Sequence, residues 1–314
     1  NIGDYEGFSS KFDGENGLLD IDNYVLSYNL EKAKSHFKQV PMMIEAFEYW
    51  FGPYPFYEDS FKIVEVPYLG MEHQSSITYG NKYMKGYLGR DLSRTGWGLK
   101  FDYIIIHEAG HEWFANNITY KDIADMWVHE SFTTYSENLF LDYHYGNEAA
   151  SDYVIGTRDG ISNSSPMIGP YGVNKRGSDL YTKGANLLHT LRQIAKDDEI
   201  WRMILRGLNS EFYHQTVDTK QIEDFISSKI GFDLTTFFDQ YLRDIRIPNL
   251  EYSISNGLLT YRWTNVIDNF TMPIEIEVLG ENIWIYPTTK KKSIEINSDR
   301  IKIDRDYYVK SVKI

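Results

Sequence analysis

The residues best suited to chemistry stand together in Ile106-His107-Glu108-Ala109-Gly110-His111-Glu112-Trp113. Two histidines four positions apart on a helix differ by about 40° of rotation, so their rings leave one face and can grip one metal ion. A glutamate directly after the first histidine completes the HExxH pattern, in which the imidazoles bind zinc and the Glu serves as general base. A catalytic zinc takes three protein ligands and keeps a fourth position for water, so a third ligand is expected elsewhere. The 18 residues 112–129 intervene, and Glu130 follows in Trp127-Val128-His129-Glu130-Ser131-Phe132, where a second helical pattern starts. A helix, a turn and a helix packed back would carry Glu130 to His107 and His111. His129 is a rival, but adjacent helical positions point about 100° apart, so it is expected to face elsewhere. Glu137, two turns after Glu130 on the same face, is open to two roles: supporting a ligand or forming a buried structural ion pair. Trp113 and Asn116 are expected to pack or to anchor loops.

These side chains need a frame. Residues 31–51 read as helical, split by Pro41 and stopped at Gly52-Pro53. Residues 61–66 alternate like a strand ending at Pro67, and 75–79 form a second short candidate. From about 98 to 246 the pattern is mainly helical, with apolar residues at helical spacing in 101–115, 131–143, 184–194, 200–208, 221–229 and 235–245. After Ile247-Pro248 the texture changes to short β-branched or aromatic runs at 258–263, 273–279, 283–286, 293–296 and 307–312, the mark of a small all-β sandwich. A boundary near 247 therefore divides 1–247 from 248–314. The second part has only ~65 residues and is expected to lean on its neighbour.

Composition narrows the choices. The net charge of −13 argues against a nucleic-acid binder, which needs a basic footprint. With no cysteine, disulfides, thiolate zinc ligands and a thiol nucleophile are excluded. No apolar run approaches the roughly 20 residues of a membrane span. The chain begins at Asn1 with neither an initiator Met nor a signal-peptide pattern, and is expected to be a fragment or a processed form.

Four ordered segments make the sequence resemble the M1 family of zinc aminopeptidases, of the gluzincin group. Residues 107–119, HEAGHEWFANNIT, are similar to the family's HExxH-x-W-F-x-N stretch, and residues 127–137, WVHESFTTYSE, to its W-x-x-E-x-F-x-x-Y-x-E segment, at a matching spacer. Leu69-Gly70-Met71-Glu72-His73 resembles the G-x-M-E-N exopeptidase motif, with Leu69 in place of the Gly and His73 in place of the Asn. Tyr181-Thr182-Lys183-Gly184-Ala185 resembles Y-x-K-G-A.

The resemblance implies an α+β, thermolysin-like, mainly helical catalytic domain with a small mixed β-sheet, followed by a β-sandwich domain. It implies one Zn²⁺ per chain on His107, His111 and Glu130, with Glu108 as base and Tyr181 stabilising the oxyanion. Glu72 would bind the substrate's free α-amine, with Gly70, Met71 and His73 alongside the peptide backbone. The substrates implied are peptides with a free N-terminus. A preceding β domain, which in many members adds a second acidic residue to the amine site, is expected to be missing before Asn1, as is the large C-terminal helical domain of some members. An endopeptidase, a bifunctional epoxide hydrolase and a catalytically inactive scaffold in protein assembly are the alternatives. Glu72 argues against the first, and the intact ligands, base and Tyr against the last.

Overall fold

The computed structural model describes residues 2–314. Leu19, Ile21, Asn23 and Val25 are buried in alternation with more exposed neighbours, and this period of two makes β2 (Gly17–Leu26) a half-buried strand. It pairs along its whole length with the more exposed β1 (Tyr5–Gly14). This hairpin is not among the sequence expectations. Its first strand carries only Tyr5, Phe8 and Phe12 as large apolar residues, too few to stand out. Strand β3 (Phe61–Glu65) runs parallel to β2, β4 (Gly70–Met71) forms the far edge, and β5 (Ile77–Tyr79) lies between β3 and β4. The order β1-β2-β3-β5-β4, with β4 antiparallel to β5, is the small mixed sheet expected.

Helices α1 (Leu30–His36) and α2 (Gln39–Phe51) come from the expected helical stretch. The break falls before Pro41 rather than at it. Pro41 lies in the first turn of α2, where its missing N–H leaves no helical bond unmade. Helix α3 (Tyr103–His111) starts at Asp102, whose side chain accepts from the Ile104 and Ile105 amides. Helix α4 (Trp127–Tyr145) is buried continuously from Trp127 to Leu141. It packs against α2, α3, α5 (Asn147–Gly156) and α6 (Thr182–Ala195). Gly110 permits the close approach of α3 to α4, because a Cβ there would lie 2.6 Å from Ser136 Oγ. Helix α5 is absent from the sequence expectations, since its buried face is largely small: Ala149, Ala150 and Ser151 beside Tyr153 and Val154. Helices α7 (Asp198–Glu211), α8 (Thr219–Ile230) and the short α9 (Thr235–Phe238) follow, and the chain continues in a wider turn to Arg243. No described helix is long and apolar enough to cross a membrane.

A parallel ribbon joins β6 (Ile118–Tyr120), between α3 and α4, to β7 (Gln215–Val217), between α7 and α8. Residues beyond 248 form two further sheets. β8 (Asn249–Ser255), β9 (Leu258–Thr264), β12 (Lys292–Glu295) and β14 (Lys310–Lys313) make one, in the order β12-β9-β8-β14. β10 (Ile274–Val278), β11 (Glu281–Ile285) and β13 (Lys302–Ile303) make the other. The expected strand at 307–312 begins only at Lys310. Tyr307 and Tyr308 are buried instead, and the Tyr308 amide donates to Thr190 Oγ1 of α6 at 2.9 Å. Tyr241 Oη also donates to the Tyr308 carbonyl, at 2.8 Å, and His189 of α6 meets Asp306 at 3.0 Å. These strands do lean on the helices, and the whole is of the α+β class.

Candidate metal centre and active site

Asp102 fixes the start of α3 more firmly than a cap alone. Its carboxylate also meets His36 Nε2 at 2.7 Å and accepts from Tyr79 Oη at 2.7 Å and Asn81 Nδ2 at 2.8 Å. Five residues on, α3 presents His107, Glu108 and His111, all nearly buried. The helix then kinks: Phe114 (φ −124°, ψ 77°) and Ala115 (φ 162°, ψ −58°) leave helical geometry. The kink turns the Phe114 carbonyl back towards the helix. His111 Nδ1 lies 3.1 Å from that oxygen and 3.1 Å from Thr133 Oγ1 of α4. His107 Nδ1 lies 2.9 Å from Glu137 Oε1, and the other Glu137 oxygen accepts from Tyr153 Oη.

With Nδ1 of each ring facing an acceptor, both protons belong there and both Nε2 atoms are bare. They converge on Glu130 Oε2, at 3.7 Å from His107 and 3.6 Å from His111. Glu130 Oε2 is buried and has no hydrogen-bond partner. Three lone-pair atoms, all within 4.8 Å of one another, therefore meet in the protein interior without a donor. Buried acceptors left so are costly, and a cation between them removes the cost. Two neutral imidazoles and a carboxylate suit zinc chemically. The field agrees. Burial alone favours a neutral His107, but the carboxylates of Glu130 and Glu137 push its pKa up to about 10: with no cation between them these groups draw a proton to Nε2 instead, the same demand for positive charge. Burial and the charge of His107 lower His111, while His107 and His111 hold Glu130 down to about 2 against its burial.

Glu108 is not part of this trio. Burial raises it to about 7, against the pull of His107 and with the help of Glu72. A carboxylate oxygen of Glu72 lies within 4.8 Å of ligating atoms of both Glu108 and His111. Strand β4 reaches this place because residue 70 is glycine: a Cβ there would lie 2.7 Å from Ile104 Cγ2 and 2.9 Å from Glu108 Oε1. Tyr181, immediately before α6, donates to Glu130 Oε1 at 3.0 Å and stacks on the His107 ring at 6.0 Å. Its ring is more than a third exposed, at 37 %, so it faces the open side of the site.

The structure thus gathers His107, Glu108, His111, Glu130, Glu72, Gly70 and Tyr181 in one place. Met71, at the end of β4, and His73, on the loop that carries Glu72, are both exposed. His129 faces elsewhere, with Nε2 accepting from the Tyr120 amide at 2.9 Å. Glu137 meets the His107 ring at Nδ1, Trp113 Nε1 donates to the Gly52 carbonyl, and Asn116 holds the Glu72 carbonyl at 3.0 Å. Sequence reasoning misses Tyr103, whose ring stacks on His107 at 5.1 Å. Its position one helical turn before His107 is the signal that could have found it.

The Peptidase family M1 domain model matches residues 34–241. A probable aminopeptidase 1 of Sulfurisphaera tokodaii is 21% identical over 294 residues, covering 87% of this chain and 36% of the relative. A leucyl aminopeptidase of Saccharolobus solfataricus is 22% identical over 274 residues, covering 78% and 34%. The chain therefore spans about a third of the length of these curated relatives. Among solved structures, Legionella pneumophila aminopeptidase A in complex with aspartic acid superposes with a TM-score of 0.76 at 14% identity, over 99% of this chain and 38% of that one. A mutant two-domain M1 zinc metallopeptidase bound to L-tryptophan gives 0.59 at 19% identity, over 72% and 49%. These likenesses agree on the fold, and with the family model matched from α1 to α9 the chain belongs to peptidase family M1.

Proposed function

We propose that the chain is the catalytic portion of a zinc-dependent aminopeptidase that removes the N-terminal residue from peptides. Residues 1–247 form its thermolysin-like catalytic unit and 248–314 a supporting β-sandwich. One observation carries the reading: the bare Nε2 atoms of His107 and His111 and the unpartnered Oε2 of Glu130 meet in a buried cluster. These three residues would hold one Zn²⁺. Bound there, the ion would supply Lewis acidity for the scissile carbonyl and acidify water near neutral pH.

The chain's own groups do the rest. Glu137 and the Phe114 carbonyl keep the two imidazoles in the tautomer that leaves Nε2 free. Glu108 takes the proton of the attacking water and passes it to the leaving amine. The Tyr181 hydroxyl, released from Glu130 Oε1, donates to the oxygen on which negative charge develops. Glu72 accepts charge-assisted hydrogen bonds from the substrate's α-ammonium group, so only the first peptide bond sits correctly. The outer edge of β4 offers unpaired backbone groups to an extended peptide.

The test is zinc content measured together with hydrolysis of aminoacyl-amide reporters, free and N-acetylated. One zinc per chain with cleavage of free N-termini alone is expected. A chain that folds but retains no zinc sinks the reading, and equal cleavage of both reporters makes it an endopeptidase.

A further inference from the structure

The proposed mechanism leaves unused a buried carboxyl group directly beside a candidate metal ligand. Glu112 directly follows His111 and is 0 % exposed. Its Oε1 accepts from the Ser75 amide at 2.7 Å, while Oε2 has no partner. Tyr54 and Asn116 stand beside it. A carboxyl group buried with one oxygen unpartnered is a poor way to stabilise a fold, so its contact with Ser75 needs a reason.

Ser75 belongs to residues 72–76, the loop that begins with Glu72. Strand β4 pins this loop by only two residues, Gly70 and Met71, on one side. Within the loop the Ser76 amide donates to the His73 carbonyl at 3.0 Å, and Ser75 adopts a left-handed φ of 56°. A non-glycine residue keeps such a conformation only where its surroundings hold it. Two bonds do so, both from the segment that continues α3 past His111. Glu112 takes the Ser75 amide at one end, and Asn116 Nδ2 donates to the Glu72 carbonyl at the other, at 3.0 Å. The loop bearing the amine anchor is thus tied to the same backbone that bears the candidate metal ligands. Kinking at Phe114 and Ala115 brings Asn116 round to the loop.

We propose that Glu112 is a positioning residue, which together with Asn116 sets the distance between Glu72 and the metal ligands and so tunes recognition of the substrate's α-amine. The proposal rests on the reading of Glu72 as amine anchor. It separates two properties that a merely structural Glu112 would lose together: binding at the metal and preference for a free amine.

The experiment compares inhibition by an amino-acid hydroxamate and by its desamino counterpart, which share the metal-binding head and differ only in the α-amine. The ratio of the two Ki values is measured for the wild-type chain, E112A, E112Q and N116A, alongside zinc content. The wild type is expected to prefer the amine-bearing compound by at least about tenfold. E112A and N116A should each cut that preference by about tenfold, the scale of loss when a binding group is misplaced by a fraction of an ångström to one ångström. Their desamino Ki values should stay within about threefold of wild type, with zinc retained. E112Q should restore most of the preference, since its amide oxygen can still accept from the Ser75 amide. An unchanged ratio in E112A overturns the proposal, as does a parallel rise of both Ki values with zinc loss. Should E112A not fold, N116A decides in the same way. A wild-type ratio near one overturns the Glu72 reading, and the proposal with it.

Discussion

Glu137 Oε1 stands 2.9 Å from His107 Nδ1, on the side of the ring away from Glu130, and Tyr153 closes the other Glu137 oxygen. A carboxylate behind a metal-binding imidazole fixes ring orientation and makes the free nitrogen a stronger donor of electrons. Glu137→Gln can turn its NH₂ group towards the ring and favour the wrong tautomer. It should weaken zinc binding by about 10- to 100-fold, read by competition with a chelator. Unchanged affinity would show Glu137 to be part of a structural pair only.

Glu108→Gln tests the base. The oxygen and nitrogen of the amide fill the same space, and no proposed ligand is removed. Zinc content should stay at wild-type level while kcat falls by about 10²- to 10⁴-fold. Turnover close to wild type, measured on a free aminoacyl amide, would remove Glu108 from the mechanism.

The metal trio is legible in the sequence because zinc dictates both residue type and spacing, and the 107–111 pair needs only one helical turn. Glu130 required the further inference that α3 and α4 pack back to back, which the buried run from Trp127 onwards supports. Glu72 and Tyr181 were legible only through family resemblance, since a lone Glu on a short strand or one Tyr among 25 says little. Glu112 and the Phe114 carbonyl were not legible at all. Their roles depend on a kink at Phe114 and Ala115 that neither Gly nor Pro announces. The fold divides in the same way. Helices with a strong apolar period, such as α6 and α7, could be read directly. The β1–β2 hairpin and the Ala-faced α5 could not, because β1 carries few large apolar residues and the buried face of α5 is made mostly of small ones.

Gly70→Ala tests the close approach of β4 to α3. The new methyl group would lie 2.7 Å from Ile104 Cγ2 and 2.9 Å from Glu108 Oε1, inside contact distance of both. Either β4 moves out or the Glu108 side chain turns away. A loss of about 1–3 kcal/mol in stability is expected from the overpacking. Because Glu108 is one of the two groups displaced, kcat/KM should fall at least tenfold while zinc is retained. Wild-type kinetics with unchanged stability would show that the edge strand is free to give way.

The contact of His189 with Asp306, 3.0 Å long, joins α6 to the turn before β14 and predicts a pH dependence of stability. Burial lowers the His189 pKa below its ordinary 6.5, despite the opposing pull of Asp306. Burial raises Asp306, but His189, with smaller help from Ser151 and Arg305, holds it below its usual 3.8. Both shifts act in one direction. As pH falls through 6.5 the unfolded chain binds a proton at His189 before the folded chain does, so stability falls until the folded pKa is passed. Above pH 6.5 this contribution is complete and flat. The Asp306 contribution is lost only later, as pH falls below 3.8. One proton taken up by the unfolded state alone gives a slope of at most about 1.4 kcal/mol per pH unit. His189→Gln keeps a donor for Asp306 but cannot titrate. Urea unfolding between pH 5 and 7 should therefore show a shallower acid limb in the variant than in the wild type, whatever its absolute stability. Parallel limbs would mean that His189 takes up its proton equally in the folded and unfolded chains, and the reading of a lowered folded pKa would fall.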